Sequence, residues 1–144
     1  MYLDARTPHA YVRGTGLEIM ANSDNVLRAG LTEKHIDIEE LVKCTDFVSK
    51  NLNTLTLQPI SKSGERIYPT PALDFKFSIL DSSESRVVNV TSAEILLALD
   101  DKMMLTKGEY STITVEKGKS VFIPYYTSNY TVSSAGRVAR ATSS

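Results

Sequence analysis

The sequence predicts a mainly β protein: a jelly-roll-like sandwich from about residue 51 onward, preceded by one short helix and a polar N-terminal segment. Three observations predict this. Apolar residues recur at period two through much of the second half, as on half-buried strands. Turn signals such as Asp100-Asp101-Lys102, Lys107-Gly108-Glu109 and Lys117-Gly118-Lys119 cut the chain into short runs. A single stripe of helical spacing occurs, at Ile38, Leu41 and Val42.

Taken in order, residues 1–34 are dense in polar and special residues, 35–50 read as a connecting helix, and 51–144 as a succession of strands. The helix rests on Asp37-Ile-Glu-Glu40, where Asp37 can cap and Glu40 can close a capping box. Its end is expected near Cys44-Thr45, since Asp46-Phe-Val-Ser is β-like. Strands are then expected in Thr54–Gln58, Asp74–Leu80 (with Phe75, Phe77 and Ile79 on one face) and Arg86–Val90. Ala93–Leu99 reads as a strand buried on both faces, with a helix left open by pattern alone. Met103–Thr106, Tyr110–Val115, Ser120–Pro124, Tyr130–Ser133 and Arg137–Thr142 continue the series. Asp81-Ser-Ser-Glu-Ser is expected to be an exposed loop and Ala141–Ser144 a frayed end.

Composition narrows the class. The 144 residues are 42% hydrophobic and 23% charged, with a formal net charge of −1, which fits a folded domain rather than disorder. Charges are interspersed without a Lys/Arg block, so nothing points to nucleic acid or an anionic membrane. The longest apolar stretch, Ile95–Leu99, falls far short of the ~20 residues that span a bilayer. One cysteine, Cys44, excludes an intramolecular disulfide. No hydrophobic signal core follows Met1, and a reducing, cytoplasmic setting is expected.

The first 34 residues hold the candidate chemistry. If residues 9–13 are extended, His9, Tyr11 and Arg13 share one face. By itself a lone histidine is most simply structural, and the only other one is His35; a structural zinc site uses four protein ligands and a catalytic one three. Ser23-Asp24-Asn25 followed by Arg28 and Gly30 is, taken alone, a capped turn with a solvated arginine.

The run as a whole points further. Pro8-His9-Ala10-Tyr11, then Glu18-x-Met20-Ala21-x-Ser23-Asp24-Asn25-Val26-x-Arg28-Ala29-Gly30-Leu31-Thr32-x-Lys34, resembles the signature of the type I, zinc-dependent mannose-6-phosphate isomerases. Ile36-Asp-Ile-x-x-Leu41 extends the match, and a weaker likeness runs to the end of the chain. The resemblance implies a cupin fold and an aldose–ketose isomerase acting on a sugar phosphate. In that family one zinc ion is held by a Gln-x-His motif, a Glu further on, and the histidine that maps to His9. Arg28 maps to the arginine that stabilises charge on the substrate, and Asp24 to a proton-transfer group. Tyr11 and Lys34 line the same cavity as substrate-binding residues. Glu18 also matches, without a role that the sequence assigns.

The family's other three metal ligands lie upstream of Pro-His-Ala-Tyr. The expectation is therefore a C-terminal portion: residues 1–34 from a truncated catalytic cupin barrel, 35–50 a connecting helix, 51–144 a degenerate cupin-like domain. Such a portion is expected to bind no zinc and to be inactive alone. A truncated gene product, an alternative start or an excised C-terminal portion would each account for it. The strands expected in 1–34 would pair onto the sandwich, swap in a homodimer, be partly mobile, or join a separate N-terminal catalytic portion. The Pro of the family's Thr-Pro-Lys is Glu33 here, which puts the position of Lys34 in doubt. Thr114–Pro124 resembles a cupin hairpin, but Tyr125 and Tyr126 stand where metal cupins place a histidine. A non-catalytic module binding a sugar or a partner protein, with Tyr125, Tyr126 and Tyr130 as stacking surfaces, is the alternative function.

Overall fold

A computed structural model describes residues 1–23, 25–109 and 111–144, with the backbone only at Ser83 and Glu84. The chain divides into two units, Met1–Leu57 and Gln58–Ser144.

The first unit contains two short helices, α1 (Ile38–Cys44) and α2 (Leu52–Leu55), and no strand among its described residues. Helix α1 begins where the cap motif puts it: Asp37 Oδ1 accepts the Glu40 N–H at 3.0 Å. The reverse half of the capping box is replaced, because the Glu40 carboxylate takes the Cys44 thiol at 3.4 Å and lies 3.6 Å from Lys43 Nζ. Hydrogen bonding to Glu40, and then desolvation, raises the Cys44 pKa and keeps the thiol protonated. The stripe on α1 does not form a core. Ile38 and Val42 are exposed and Leu41 half-buried.

Two expectations fail here. The strands foreseen in residues 1–34 do not form among the described residues; at Ser23 the backbone N–H bonds locally to the Ala21 carbonyl at 2.8 Å instead of in a ladder. Thr54–Gln58 is not a strand either. Asn51 caps α2 through its side chain, accepting the Asn53 N–H at 3.0 Å, and this local bond outcompetes the alternation.

The second unit is a two-sheet antiparallel sandwich. Its strands are β1 (Ile60–Lys62), β2 (Glu65–Tyr68), β3 (Phe75–Leu80), β4 (Ser83–Asn89), β5 (Glu94–Ala98), β6 (Met103–Lys107), β7 (Ser111–Val115), β8 (Ser120–Ile123), β9 (Asn129–Ser134) and β10 (Val138–Ser143). One sheet has the order β1-β2-β3-β10-β5-β8 and the other β4-β9-β6-β7. Thus the mainly β, jelly-roll-like fold and most of the foreseen strands are present. Strand β10 lies at the centre of the larger sheet, with Val138 opposite both Leu80 and Ala98. Of the C-terminal residues expected to fray, Ala141 and Thr142 are therefore paired on both sides and Ser143 on one. The 81–85 loop is also shorter than expected, since β4 starts at Ser83 and absorbs its polar run in a bulge before Arg86.

The core forms between the sheets. Leu80, Val138, Leu96, Ala98 and Ile123 from the larger sheet meet Val88, Met103, Leu105, Val115, Tyr130 and Val132 from the smaller. Strand β5 explains a misreading: Glu94, Leu96 and Ala98 point inward and are buried, whereas Ile95 is 50% exposed. It is buried on one face, and its outer residues are apolar without being enclosed.

The hairpin β1–β2, unforeseen from the sequence, turns through Ser63 and Gly64, both at positive φ, the geometry of a two-residue type I′ turn. Arg86 reaches across from the other sheet and donates to the Ser63 and Gly64 carbonyls at 2.6 and 3.0 Å. A Cβ at position 64 would collide with that guanidinium. At the other end, Arg137 grips Asp100 with two parallel bonds of 2.6 and 2.8 Å. Gly136 lets the β9–β10 turn approach Asp101, whose backbone nitrogen would stand 2.6 Å from a Cβ.

A polar cluster interrupts the core. Arg140 on β10 donates through Nε to Glu94 Oε2 and through Nη1 to Glu65 Oε1 at 3.3 Å. Ser78 Oγ donates to the same Glu65 oxygen at 2.6 Å. The Glu94 side chain is wholly buried. Burial first, and then Glu94, pushes the Tyr130 phenol pKa well above its ordinary value.

Candidate functional site

The motif-bearing stretch has to hold its residues without help from a ladder, and it does so with short-range contacts. His9 Nδ1 meets the Thr7 carbonyl at 3.2 Å. A carbonyl only accepts, so Nδ1 is the donor in this contact, and in the neutral ring that leaves the lone pair on Nε2. Nε2 lies 4.0 Å from Glu18 Oε1. The Tyr11 ring stands edge-on to the imidazole, 6.0 Å between centroids at 89°, so His9 and Tyr11 do come to one side even without a strand. Tyr11 has its pKa raised by desolvation and then by the Glu18 carboxylate. The tyrosine ring is still 73% exposed, so Glu18 is the contact that identifies its neighbourhood.

His9, Tyr11 and Glu18 thus form one cluster, and it is open to solvent. Arg28 and Lys34 are both exposed. The Lys34 N–H is held by Thr32 Oγ1 at 3.1 Å, and among the described residues no contact joins either cation to His9. Asp24, assigned the proton-transfer role by resemblance, lies outside the described residues. Tyr130 separates from its neighbours in the aromatic trio: it is 3% exposed and in the core, while Tyr125 and Tyr126, on the 3₁₀ turn after β8, are 66% and 81% exposed.

A zinc site needs at least three protein ligands in one place. The His9 ring has the arrangement of a ligand, with Nδ1 engaged by a carbonyl and Nε2 available. Nevertheless, no group of three His, Cys, Asp or Glu side chains able to hold a metal occurs among the described residues. No helix among them is long and apolar enough to cross a membrane.

Glu18 is the member that sequence reasoning left without a role. It lies nine positions from His9 in a segment with no periodicity, so spacing carried no signal. Lys50 and Asp46, which tie down the His9 segment, lie beyond the motif.

Fold and site together define a cupin-type sandwich preceded by a histidine-, tyrosine- and carboxylate-bearing segment. Comparison with known proteins makes this particular. The family model for "Mannose-6-phosphate isomerase, cupin domain" matches residues 65–143, and the chain belongs to the mannose-6-phosphate isomerase family. The mannose-6-phosphate isomerase of Escherichia coli (strain K12) is 45% identical over 141 residues, covering 97% of this chain and 36% of its own length. That of Mus musculus is 34% identical over 131 residues, 85% of this chain and 31% of its own. The solved mannose 6-phosphate isomerase from Salmonella typhimurium, bound to its substrate f6p and a zinc atom, matches with a TM-score of 0.75 at 39% identity. That match covers 86% of this chain and 32% of the other. The chain thus spans about a third of the length of these relatives.

Proposed function

We propose that this chain is the C-terminal portion of a mannose-6-phosphate isomerase and supplies one wall of its active site. The juxtaposition of His9, Tyr11 and Glu18 carries the reading, supported by the solved relative that holds f6p and zinc. Aldose–ketose isomerisation moves a proton between C1 and C2 through an enediol bearing negative charge on oxygen. Arg28, always charged, meets that charge or the substrate phosphate. Asp24 carries the proton. Tyr11 and Lys34 hold the sugar phosphate, and His9 contributes a metal ligand through Nε2. When bound, zinc polarises the substrate carbonyl as a Lewis acid. The remaining ligands come from the part of the enzyme that these residues do not span, and without it they are inactive.

The test is complementation. The chain alone, and the chain mixed with the part of the E. coli relative that it does not span, are assayed for zinc and for conversion of mannose 6-phosphate to fructose 6-phosphate. Zinc and conversion are expected only in the mixture, and both are lost with His9→Ala. A mixture that forms a complex and binds zinc yet converts nothing would sink the reading.

A second reading, a non-catalytic module binding a sugar or a partner protein, rests on the exposure of Tyr125 and Tyr126. Its sugar arm requires saturable mannose binding that survives His9→Ala and disappears in Tyr126→Ala.

A further inference from the structure

The stretch from Tyr2 to His9 has no helix or strand of its own, so contacts made elsewhere must fix the imidazole it carries. Three ties do this, all to residues that follow α1. The Tyr2 N–H donates to the Leu55 carbonyl at 2.8 Å. The Asp46 N–H donates to the Arg6 carbonyl at 3.0 Å while Arg6 Nε pairs with Asp46 Oδ1 at 2.9 Å. Lys50 makes the third: its Nζ donates to Thr7 Oγ1 at 2.7 Å and lies 3.5 Å from Asp4 Oδ2. The Lys50 side chain is 25% exposed, and its ammonium faces both of these oxygens.

Thr7 is where this tie reaches the site. Its hydroxyl is held by Lys50, and its carbonyl accepts from His9 Nδ1 at 3.2 Å. That contact is at the long end of the hydrogen-bond range, so a small displacement of Thr7 would break it. We propose that Lys50 is a positioning residue for His9: by clamping the Thr7 hydroxyl it fixes the carbonyl that selects the imidazole tautomer and leaves Nε2 facing Glu18. What Nε2 then does for metal or substrate rests on the isomerase reading; the clamp itself does not.

Long-range proton–nitrogen correlation spectra of the full chain, at a pH where the imidazole is neutral, read the tautomer directly, with His35 as internal reference. The Nδ1–H form is expected to dominate at His9. Lys50→Met and Thr7→Val each shift the ratio toward the Nε2–H form by about two- to tenfold, the range set by a hydrogen bond of ordinary net strength. Thr7→Ser, which keeps the hydroxyl, retains the original ratio. Unchanged amide signals from β3, β5 and β10 show that the variants are folded. An unchanged His9 ratio in either Lys50→Met or Thr7→Val overturns the proposal. Because no metal or substrate is used, a failed complementation assay leaves this result standing, and a failed tautomer shift leaves the complementation standing.

Discussion

The two units organise their residues in opposite ways. Gln58–Ser144 buries a core between two sheets and encloses one charged cluster, Glu65, Glu94 and Arg140, beside it. Met1–Leu57 carries the family signature but has no fully buried residue among those described, and its order comes from caps and single hydrogen bonds. The contrast teaches that stability and chemistry occupy different stretches of this chain. A sandwich tolerates a lost surface contact because its core remains. A segment held by one bond per residue transmits each loss to the side chain it presents.

The largest test of that contrast is Arg140→Met. It leaves Glu94 and Glu65 without their cation inside the sandwich, and breaking a buried pair in this way costs about 3–5 kcal/mol. Urea denaturation followed by the sheet signal measures it. A loss below about 1 kcal/mol, the scale of an exposed pair, would mean that the cluster is solvated and that the sandwich is less sharply distinct from the first unit.

A smaller effect is expected from acid. The Arg137 guanidinium, through side-chain and backbone hydrogen bonds, holds the Asp100 carboxyl far below the usual carboxylate range. A depressed folded-state pKa adds stability that is present above the unfolded value of about 3.9 and is lost as pH falls toward the folded value. The stability of wild type is therefore expected to fall more steeply below about pH 4 than that of Asp100→Asn. Parallel slopes in acid titrations of the two would show that this partly exposed pair is screened by solvent.

The smallest effect sharpens the other side. Asp37→Ala removes the cap of α1 and costs that helix about 1 kcal/mol, read as fraying of Ile38–Cys44 by carbon chemical shifts. The unfolding midpoint of the sandwich is expected to stay where it is, since α1 buries nothing. A shifted midpoint would show that the first unit supports the second.

Much of this arrangement was legible in the sequence, for local reasons. Asp37 and Glu40 named the start of α1; alternation named β3; Lys117-Gly118 and Pro124 bounded β8. Errors fell where two local rules competed, as at Asn51, whose capping bond won over the alternation of 54–58. They also fell where burial was judged from composition, as at Ile95. The β1–β2 hairpin had a signal, Ser63-Gly64 between short runs, but one too short to stand out from other glycine turns.

The sequence by itself determined the family, the cap, the turns and the identity of His9, Tyr11, Asp24, Arg28 and Lys34 as candidates, because these depend on residue type and near-neighbour spacing. Only the tertiary structure decided that the last residues form a central strand and that Glu94, Arg140 and Glu65 meet in the core. The same holds for Glu18 beside His9 and for Lys50 on Thr7. Each of these joins residues far apart in the chain or in an aperiodic segment, where a contact leaves no pattern in sequence and is chosen by which groups burial and hydrogen bonding bring together.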